Sequence, residues 1–97
     1  MEEFMGTPGP WFEHREGFST VYVEARIRYG VIQEVASCGP TEAGQEAQSA
    51  NARLIASAPD LLEALQQLLI RIADDEEYGP DHAITVARNA IAKAIGK

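Results

Sequence analysis

The first third of the chain alternates apolar and polar residues in the manner of a half-buried β-strand. Between residues 19 and 28 the apolar positions are Val21, Val23, Ala25 and Ile27. Shorter runs rich in aromatic and β-branched residues lie on either side, at about 11–15 and 31–37, beyond the turn-forming Gly17 and Gly30. Because strand side chains point alternately to the two faces of a sheet, this pattern predicts three antiparallel strands within about 11–37.

After residue 40 the apolar residues recur at the three- and four-residue spacing of amphipathic helices. The helices predicted from this spacing span about 41–57, 59–74 and 81–95. Thr41 is the expected N-cap of the first helix, and Ser57 with Asp60 resembles a capping box that opens the second. The last two helices are expected to form an antiparallel hairpin. The predicted fold is therefore α+β, a three-stranded antiparallel sheet followed by three helices.

The apolar faces of the first two helices identify a candidate core. In the first helix this face consists of Ala43, Ala47, Ala50, Leu54 and Ala58. In the second it consists of Leu61, Leu62, Leu65, Leu68, Leu69 and Ile72, which predicts the main core helix. Asn51 lies near the first stripe, and a partly buried amide there needs hydrogen-bond partners. Asn51 is therefore a candidate contact for a neighbouring loop, a ligand or a second subunit.

The length of 97 residues fits one domain with one hydrophobic core. We therefore predict a single domain over residues 1–97. Residues 1–10 are expected to be an extended or partly disordered lead-in, because Pro8 and Pro10 fix their own φ and keep the preceding residues out of the helical region. A core this small gives modest stability, which assembly into a homo-oligomer would raise.

The net charge is −7, from 15 acidic and 8 basic residues, and the basic residues do not form a run. This composition argues against general nucleic-acid binding and against binding to an anionic membrane. The acidic run of Asp74, Asp75, Glu76 and Glu77 is either a solvated turn or a negative surface offered to a basic partner. A signal-peptide pattern and a membrane-spanning apolar run are both absent from the sequence, which favours a cytoplasmic location.

Catalytic and metal-binding patterns are not evident in the sequence. His14 and His82 have no second ligand at a recognisable spacing, and Cys38, the single cysteine, has no base or oxyanion-hole pattern near it. No glycine-rich phosphate loop follows a predicted strand and opens a helix. We therefore predict no enzymatic activity, no metal site and no cofactor.

Arginine and aromatic residues form a better candidate for ligand binding. The candidates are Trp11, Tyr22, Arg26, Arg28 and Arg53. An arginine can hold a phosphate and an aromatic ring can stack on a base, so together they suit the capture of a small nucleotide. The alternative is an exposed strand face on which the arginines pair with glutamates such as Glu24 and Glu34.

Two segments of the chain resemble a group of small bacteriophage and prophage proteins. They are Thr7-Pro8-Gly9-Pro10-Trp11 and Asn51-Ala52-Arg53-Leu54-Ile55-Ala56-Ser57-Ala58-Pro59-Asp60-Leu61-Leu62-Glu63-Ala64-Leu65. Members of this group typically open with the proline-rich lead-in, continue through a variable β-rich stretch and then carry the second segment on a leucine-rich helix. The resemblance implies a phage gene product that is made in a bacterial cytoplasm and is not catalytic.

Small acidic phage proteins often inhibit host immunity, either as anti-CRISPR proteins or by sequestering immune signalling nucleotides. The resemblance therefore implies stoichiometric binding to a host defence protein or to a small signalling nucleotide in the infected cell. One alternative is a structural or assembly module that self-associates through the helix at 61–72 or through a sheet edge. The other is an enzyme that lacks familiar motifs.

Overall fold

The computed structural model describes residues 3–72 and 78–97, which contain three strands and three α-helices. They are β1 (Trp11–Glu16), β2 (Thr20–Arg26), β3 (Ile32–Cys38), α1 (Gln45–Ala56), α2 (Ala58–Ile72) and α3 (Ala83–Ala94). The strands form an antiparallel sheet in the order β1-β2-β3, and a 3-10 turn at Arg28–Gly30 joins the last two. The predicted α+β fold is confirmed.

The chain forms two compact units. One unit is Thr7–Asp60, which holds the sheet and α1, and the other comprises the described parts of Met1–Gly6 and Leu61–Lys97. The single domain over 1–97 stays a prediction. The antiparallel hairpin of α2 and α3 also stays a prediction, because their connection at 73–77 lies outside the described residues. Within the described ranges, the helices lack the combination of length and apolar character needed to cross a bilayer.

The core of the first unit lies between β2 and α1. Its buried members are Val21, Val23, Ala52 and Ala56, and Trp11, Val35, Ala36, Cys38 and Ile55 pack against them. The alternation predicted for β2 is present, because its three apolar residues are buried and those between them are half-buried. Burying one valine side chain contributes about 1.5–3 kcal/mol. The small alanines of α1 allow the helix to approach the sheet closely.

A β-bulge makes the alternation of β3 less regular than that of β2. Val23 pairs with Ala36 and Glu24 pairs with Glu34, so Val35 is an extra residue in β3. An extra residue interrupts the two-residue period, and Val35 and Ala36 consequently both pack on the core.

The predicted core-facing side of α1 was wrong. Leu54 is 65% exposed, whereas Gln48, Ala52 and Ala56 are buried. Asn51 is exposed as well, so the prediction of a partly buried amide at this position was also wrong. The prediction selected apolar residues, but the centre of the helix–sheet contact is the amide of Gln48.

Gln48 is 1% exposed and ties α1 to all three strands. Its Nε2 donates to the carbonyl of Ser19, immediately before β2, over 2.9 Å, and to that of Cys38, at the end of β3, over 2.8 Å. Its Oε1 accepts from Nη2 of Arg15, on β1, over 3.0 Å. A buried amide is tolerated when its donors and its acceptor are paired in this way.

The first helix begins four residues later than the predicted N-cap. Thr41 instead closes a separate turn, because its Oγ1 accepts from the Ala43 N–H over 3.2 Å and its carbonyl accepts from the Gly44 N–H over 2.9 Å. Gly44 is the N-cap of α1, at a φ of 95° that residues with a Cβ rarely adopt.

The predicted capping box at the start of the second helix was also wrong. Ser57 closes α1, since its hydroxyl donates to the carbonyl of Arg53 over 2.9 Å. The second helix follows at once, and Pro59 is accommodated in its first turn, where a backbone N–H has no helical partner.

The prediction that α2 is the main core helix was wrong. Leu69 is the buried residue of α2, while Leu61, Leu68 and Ile72 are each more than half exposed. The buried cluster instead joins β2 to α1.

The third helix begins at Ala83 because the preceding histidine caps it. Nδ1 of His82 accepts from the Ile84 N–H over 3.0 Å. The His82 ring also lies against Tyr78, with 4.3 Å between ring centroids, and Thr85 Oγ1 donates to the Tyr78 carbonyl over 3.2 Å. These contacts fix the turn that leads into α3.

Replacing the buried amide should destabilise the protein strongly. Gln48→Met preserves the length of the side chain but removes the donors to two carbonyls and the acceptor for Arg15. We expect the free energy of unfolding to fall by about 2–3 kcal/mol. Urea denaturation measures this change, and Gln67→Met, at an exposed position of α2, is the control and should change it by less than about 0.5 kcal/mol. Equal midpoints for the two variants would contradict the role given to Gln48.

Removing the histidine cap should loosen the start of α3. His82→Ala leaves the Ile84 N–H without its acceptor, so we expect a loss of about 1 kcal/mol and faster hydrogen exchange of that amide. His82→Asn supplies another capping oxygen and should restore most of the protection. If the Ile84 amide exchanges equally fast in the alanine and asparagine variants, His82 does not act as a cap.

Candidate functional site

The register of the sheet separates the predicted binding residues into two groups. Trp11 pairs with Ala25, whose side chain is buried on the face toward α1, so Trp11 shares that face with the helix that carries Arg53. Tyr22 and Arg26 alternate with the buried residues of β2 and therefore lie on the opposite face. The structure thus brings Trp11 and Arg53 to one side and places Tyr22 and Arg26 on the other.

On the face away from α1, side chains pair with one another. The Arg26 guanidinium carbon lies 5.7 Å from the centroid of the Phe12 ring, which is a cation–π contact. Glu24 Oε1 lies 3.3 Å from His14 Nδ1, and Glu16 Oε2 lies 3.7 Å from His14 Nε2. Arg26 therefore contacts an aromatic ring, and Glu24 contacts a histidine, whereas the alternative interpretation expected the arginines to pair with Glu24 and Glu34.

The remaining predicted residues do not join either group. Arg28 lies in the exposed turn between β2 and β3, and Asn51 is exposed on α1. The acidic run at 74–77 lies outside the described residues, so its role as a partner surface stays a prediction.

The proline-rich lead-in packs against the start of α2. The Trp11 indole N–H donates to the carbonyl of Thr7 over 3.1 Å. A Cβ added to Gly9 would lie 2.7 Å from Cβ of Pro59, so glycine is needed where these two segments meet. The two segments that carry the resemblance to phage proteins are therefore in contact within the first unit.

An open hollow of about 350 Å³ lies beside this contact. It is lined by Trp11, Phe12, Glu13, Arg53, Ala56, Ser57 and Asp60. We call it the aromatic hollow. Its charged groups are one guanidinium and two carboxylates.

A second open hollow, of about 610 Å³, lies along the N-terminal half of α1. It is lined by Arg15, Gln45, Glu46, Ser49, Ala50 and Arg53. We call it the cationic hollow, because it has two guanidinium groups and one carboxylate. Arg53 borders both hollows.

Arg15 is the residue that sequence reasoning missed. Its Nη2 donates to Ser49 Oγ over 2.8 Å and to Gln48 Oε1 over 3.0 Å, and it lies 3.4 Å from the carbonyl of Gln45. All three acceptors are neutral, and Nη1 is buried with no hydrogen-bond partner. The one signal in the sequence is its spacing of four residues from Trp11, which places both on the same face of a strand.

This arrangement can bind anions and planar rings. Guanidinium groups form charge-assisted hydrogen bonds to phosphate or carboxylate, and an indole ring can stack on a base. Among the described residues, no group of three His, Cys, Asp or Glu side chains is placed to hold a metal ion.

Comparison with known proteins identifies the family. No curated protein and no solved structure gave a match. A family model described as Salmonella phage P22 protein Y8K6 matches residues 1–97. The match confirms the predicted phage protein, while the use of the two segments as shared motifs of such proteins stays a prediction. The chain therefore belongs to the family of Salmonella phage P22 protein Y8K6.

Proposed function

We propose that this phage protein is a non-enzymatic inhibitor of host immunity that sequesters a small signalling nucleotide in the cytoplasm of the infected cell. The observation that supports this function is the aromatic hollow, whose lining includes Trp11 and Arg53. Its volume of about 350 Å³ falls within the range typical of small-molecule sites. The anionic part of the ligand lies toward Arg53, and its base lies against the Trp11 ring.

The carboxylates of the aromatic hollow favour a particular class of base. Glu13 and Asp60 line this hollow and can accept hydrogen bonds from the amino group of adenine, guanine or cytosine. The same carboxylates repel a phosphate. The base therefore occupies the aromatic hollow, and the phosphate lies beyond Arg53.

Binding without catalysis agrees with the placement of the reactive side chains. Cys38 packs on the core face of the sheet, opposite Val21, whereas His14 pairs with Tyr22 and lies on the other face. A thiolate activated by His14 therefore cannot form. Sequestration needs no nucleophile, because the protein inhibits by lowering the concentration of free signal.

The magnitudes show that one hollow is not enough for tight binding. Stacking of one base contributes about 1–3 kcal/mol, and one charge-assisted hydrogen bond contributes about 1.5–3 kcal/mol. A micromolar dissociation constant needs about 8 kcal/mol. The ligand must therefore make further contacts outside the aromatic hollow.

Self-association is a second candidate function. The observation that favours it is the stripe of Leu61, Leu68 and Ile72 on α2, whose large apolar side chains are each more than half exposed. An exposed apolar patch of this kind is typical of a protein–protein contact surface. Separately, in the unit that holds the sheet, Tyr29 is 97% exposed in the turn before β3, which is a strand at the edge of the sheet. A module of this kind would assemble with copies of itself.

The proposed function predicts that nucleotides change the fluorescence of Trp11, the single tryptophan of the chain. We expect one or more cyclic mono-, di- or trinucleotides, or a cyclic ADP-ribose-type signal, to alter the emission. At about a hundred times the dissociation constant the same ligand should raise the melting temperature by about ten degrees or more. A screen in which no nucleotide changes either signal would overturn the proposal.

Two arginine variants test where the nucleotide binds. Arg53→Gln removes the cation of the aromatic hollow and should weaken binding at least tenfold, which corresponds to about 1.4 kcal/mol. Arg26→Gln removes a similar charge on the opposite face of the sheet and should leave the affinity unchanged. Equal losses in the two variants would show that the effect comes from the general charge of the protein.

The second candidate predicts a reversible oligomer in sedimentation experiments. Leu68→Lys places a charge in the exposed stripe of α2 and should shift the protein toward the monomer, whereas Gln67→Lys, at the neighbouring exposed position, should not. A wild-type protein that stays monomeric at high concentration would remove this candidate.

A further inference from the structure

The cationic hollow contains a guanidinium group whose charge is not neutralised. Arg15 is half-buried, and it forms no ion pair with any Asp or Glu in the described part of the chain. Charged groups that leave water are normally paired with an opposite charge. Arg15 is bonded instead to a side-chain amide, a hydroxyl and a backbone carbonyl, all of which are neutral. Its full positive charge therefore remains available to a ligand.

The position of Arg15 is fixed before any ligand binds. Gln48 accepts from Nη2, and Gln48 is itself held by two backbone carbonyls of the sheet. Ser49 accepts from the same nitrogen, so two neighbouring side chains of α1 hold the guanidinium in place. A cation that is already ordered loses little conformational freedom when an anion binds, which favours affinity.

The other groups of the cationic hollow also suit an anion. Arg53 supplies a second guanidinium, and it is exposed and therefore free to adjust to a ligand. Gln45 and Glu46 belong to the first turn of α1, where the helix dipole is positive, and the cap residue Gly44 supplies no side-chain hydrogen bond. Glu46 is the single carboxylate that lines the hollow. The two guanidinium groups and this carboxylate give the lining of the cationic hollow a formal charge of +1.

We propose that Arg15 and Arg53 form a phosphate-binding subsite in the cationic hollow. The inference rests on the proposed function for the identity of the ligand, a nucleotide whose base occupies the aromatic hollow. Because Arg53 borders both hollows, one nucleotide reaches both, with its phosphoryl group between the two arginines. In the bound state the phosphoryl group supplies an acceptor for Nη1 of Arg15, which has no hydrogen-bond partner in the free protein.

The experiment uses inorganic pyrophosphate, which supplies phosphoryl oxygens but no base. It is titrated into the isotope-labelled full-length protein, and NMR follows the Arg side-chain signals and the backbone amides of residues 45–49. We expect saturable shifts in both sets, with affinity reduced at least tenfold in Arg15→Gln. Arg71→Gln, at an exposed position of α2, is the control and should bind as the wild type does. Shifts that do not saturate, or that persist unchanged in Arg15→Gln, would overturn the subsite.

A second variant keeps the test decisive if Arg15→Gln does not fold. Arg53→Gln changes an exposed residue and should also weaken pyrophosphate binding at least tenfold. Unchanged binding in this variant would likewise overturn the two-arginine subsite.

An uncharged nucleoside separates this inference from the proposed function. Adenosine and guanosine carry no phosphate, so they probe the aromatic hollow alone through Trp11 fluorescence. If a nucleoside changes the fluorescence but pyrophosphate does not bind, the subsite is wrong and the aromatic site stands. If pyrophosphate binds as expected but neither nucleosides nor nucleotides affect Trp11, the anion subsite stands and the proposed nucleotide function is wrong.

Discussion

The buried amide of Gln48 is the interaction on which the arrangement of the first unit depends. It is placed where the ends of two strands offer carbonyl groups and where a third strand offers a guanidinium, and it pairs with all of them. Unpaired polar groups in a core are costly, so these hydrogen bonds hold α1 in a single orientation about its own axis. That rotation buries Ala52 and Ala56 and places Arg53 at the rim between the two hollows.

Periodicity in the sequence predicted the elements better than it predicted which helical residues are buried. The strand at 20–26 was recognised because one face is buried and the other is not, which gives a clean period of two. The buried face of α1 was not recognised, because Gln48 is polar by residue type and only its partners make it a core residue. Leu54 was assigned to the core for the converse reason, although it is largely exposed.

The candidate site was predictable in its chemistry and only partly in its geometry. Trp11 and Arg53 were chosen because they suit a base and a phosphate, and the structure places both on one hollow. Tyr22 and Arg26 were chosen for the same chemistry, but the register of β1 against β2 separates them from Trp11. Arg15 was missed because its position opposite Val21, on the core face, follows from that register and not from any local pattern.

An anion site in a protein with a net charge of −7 is physically consistent, because the two effects act over different distances. The field of the whole surface is screened over about 8 Å at physiological ionic strength, and it repels a long polyanion that must approach many acidic groups at once. In the proposed subsite, a single phosphoryl group is instead governed by contacts of about 3 Å with two guanidinium groups. Under the proposed function, the acidic surface disfavours nucleic acid and the two arginines favour a compact nucleotide, which is the selectivity that a sequestering protein needs in a cytoplasm rich in RNA.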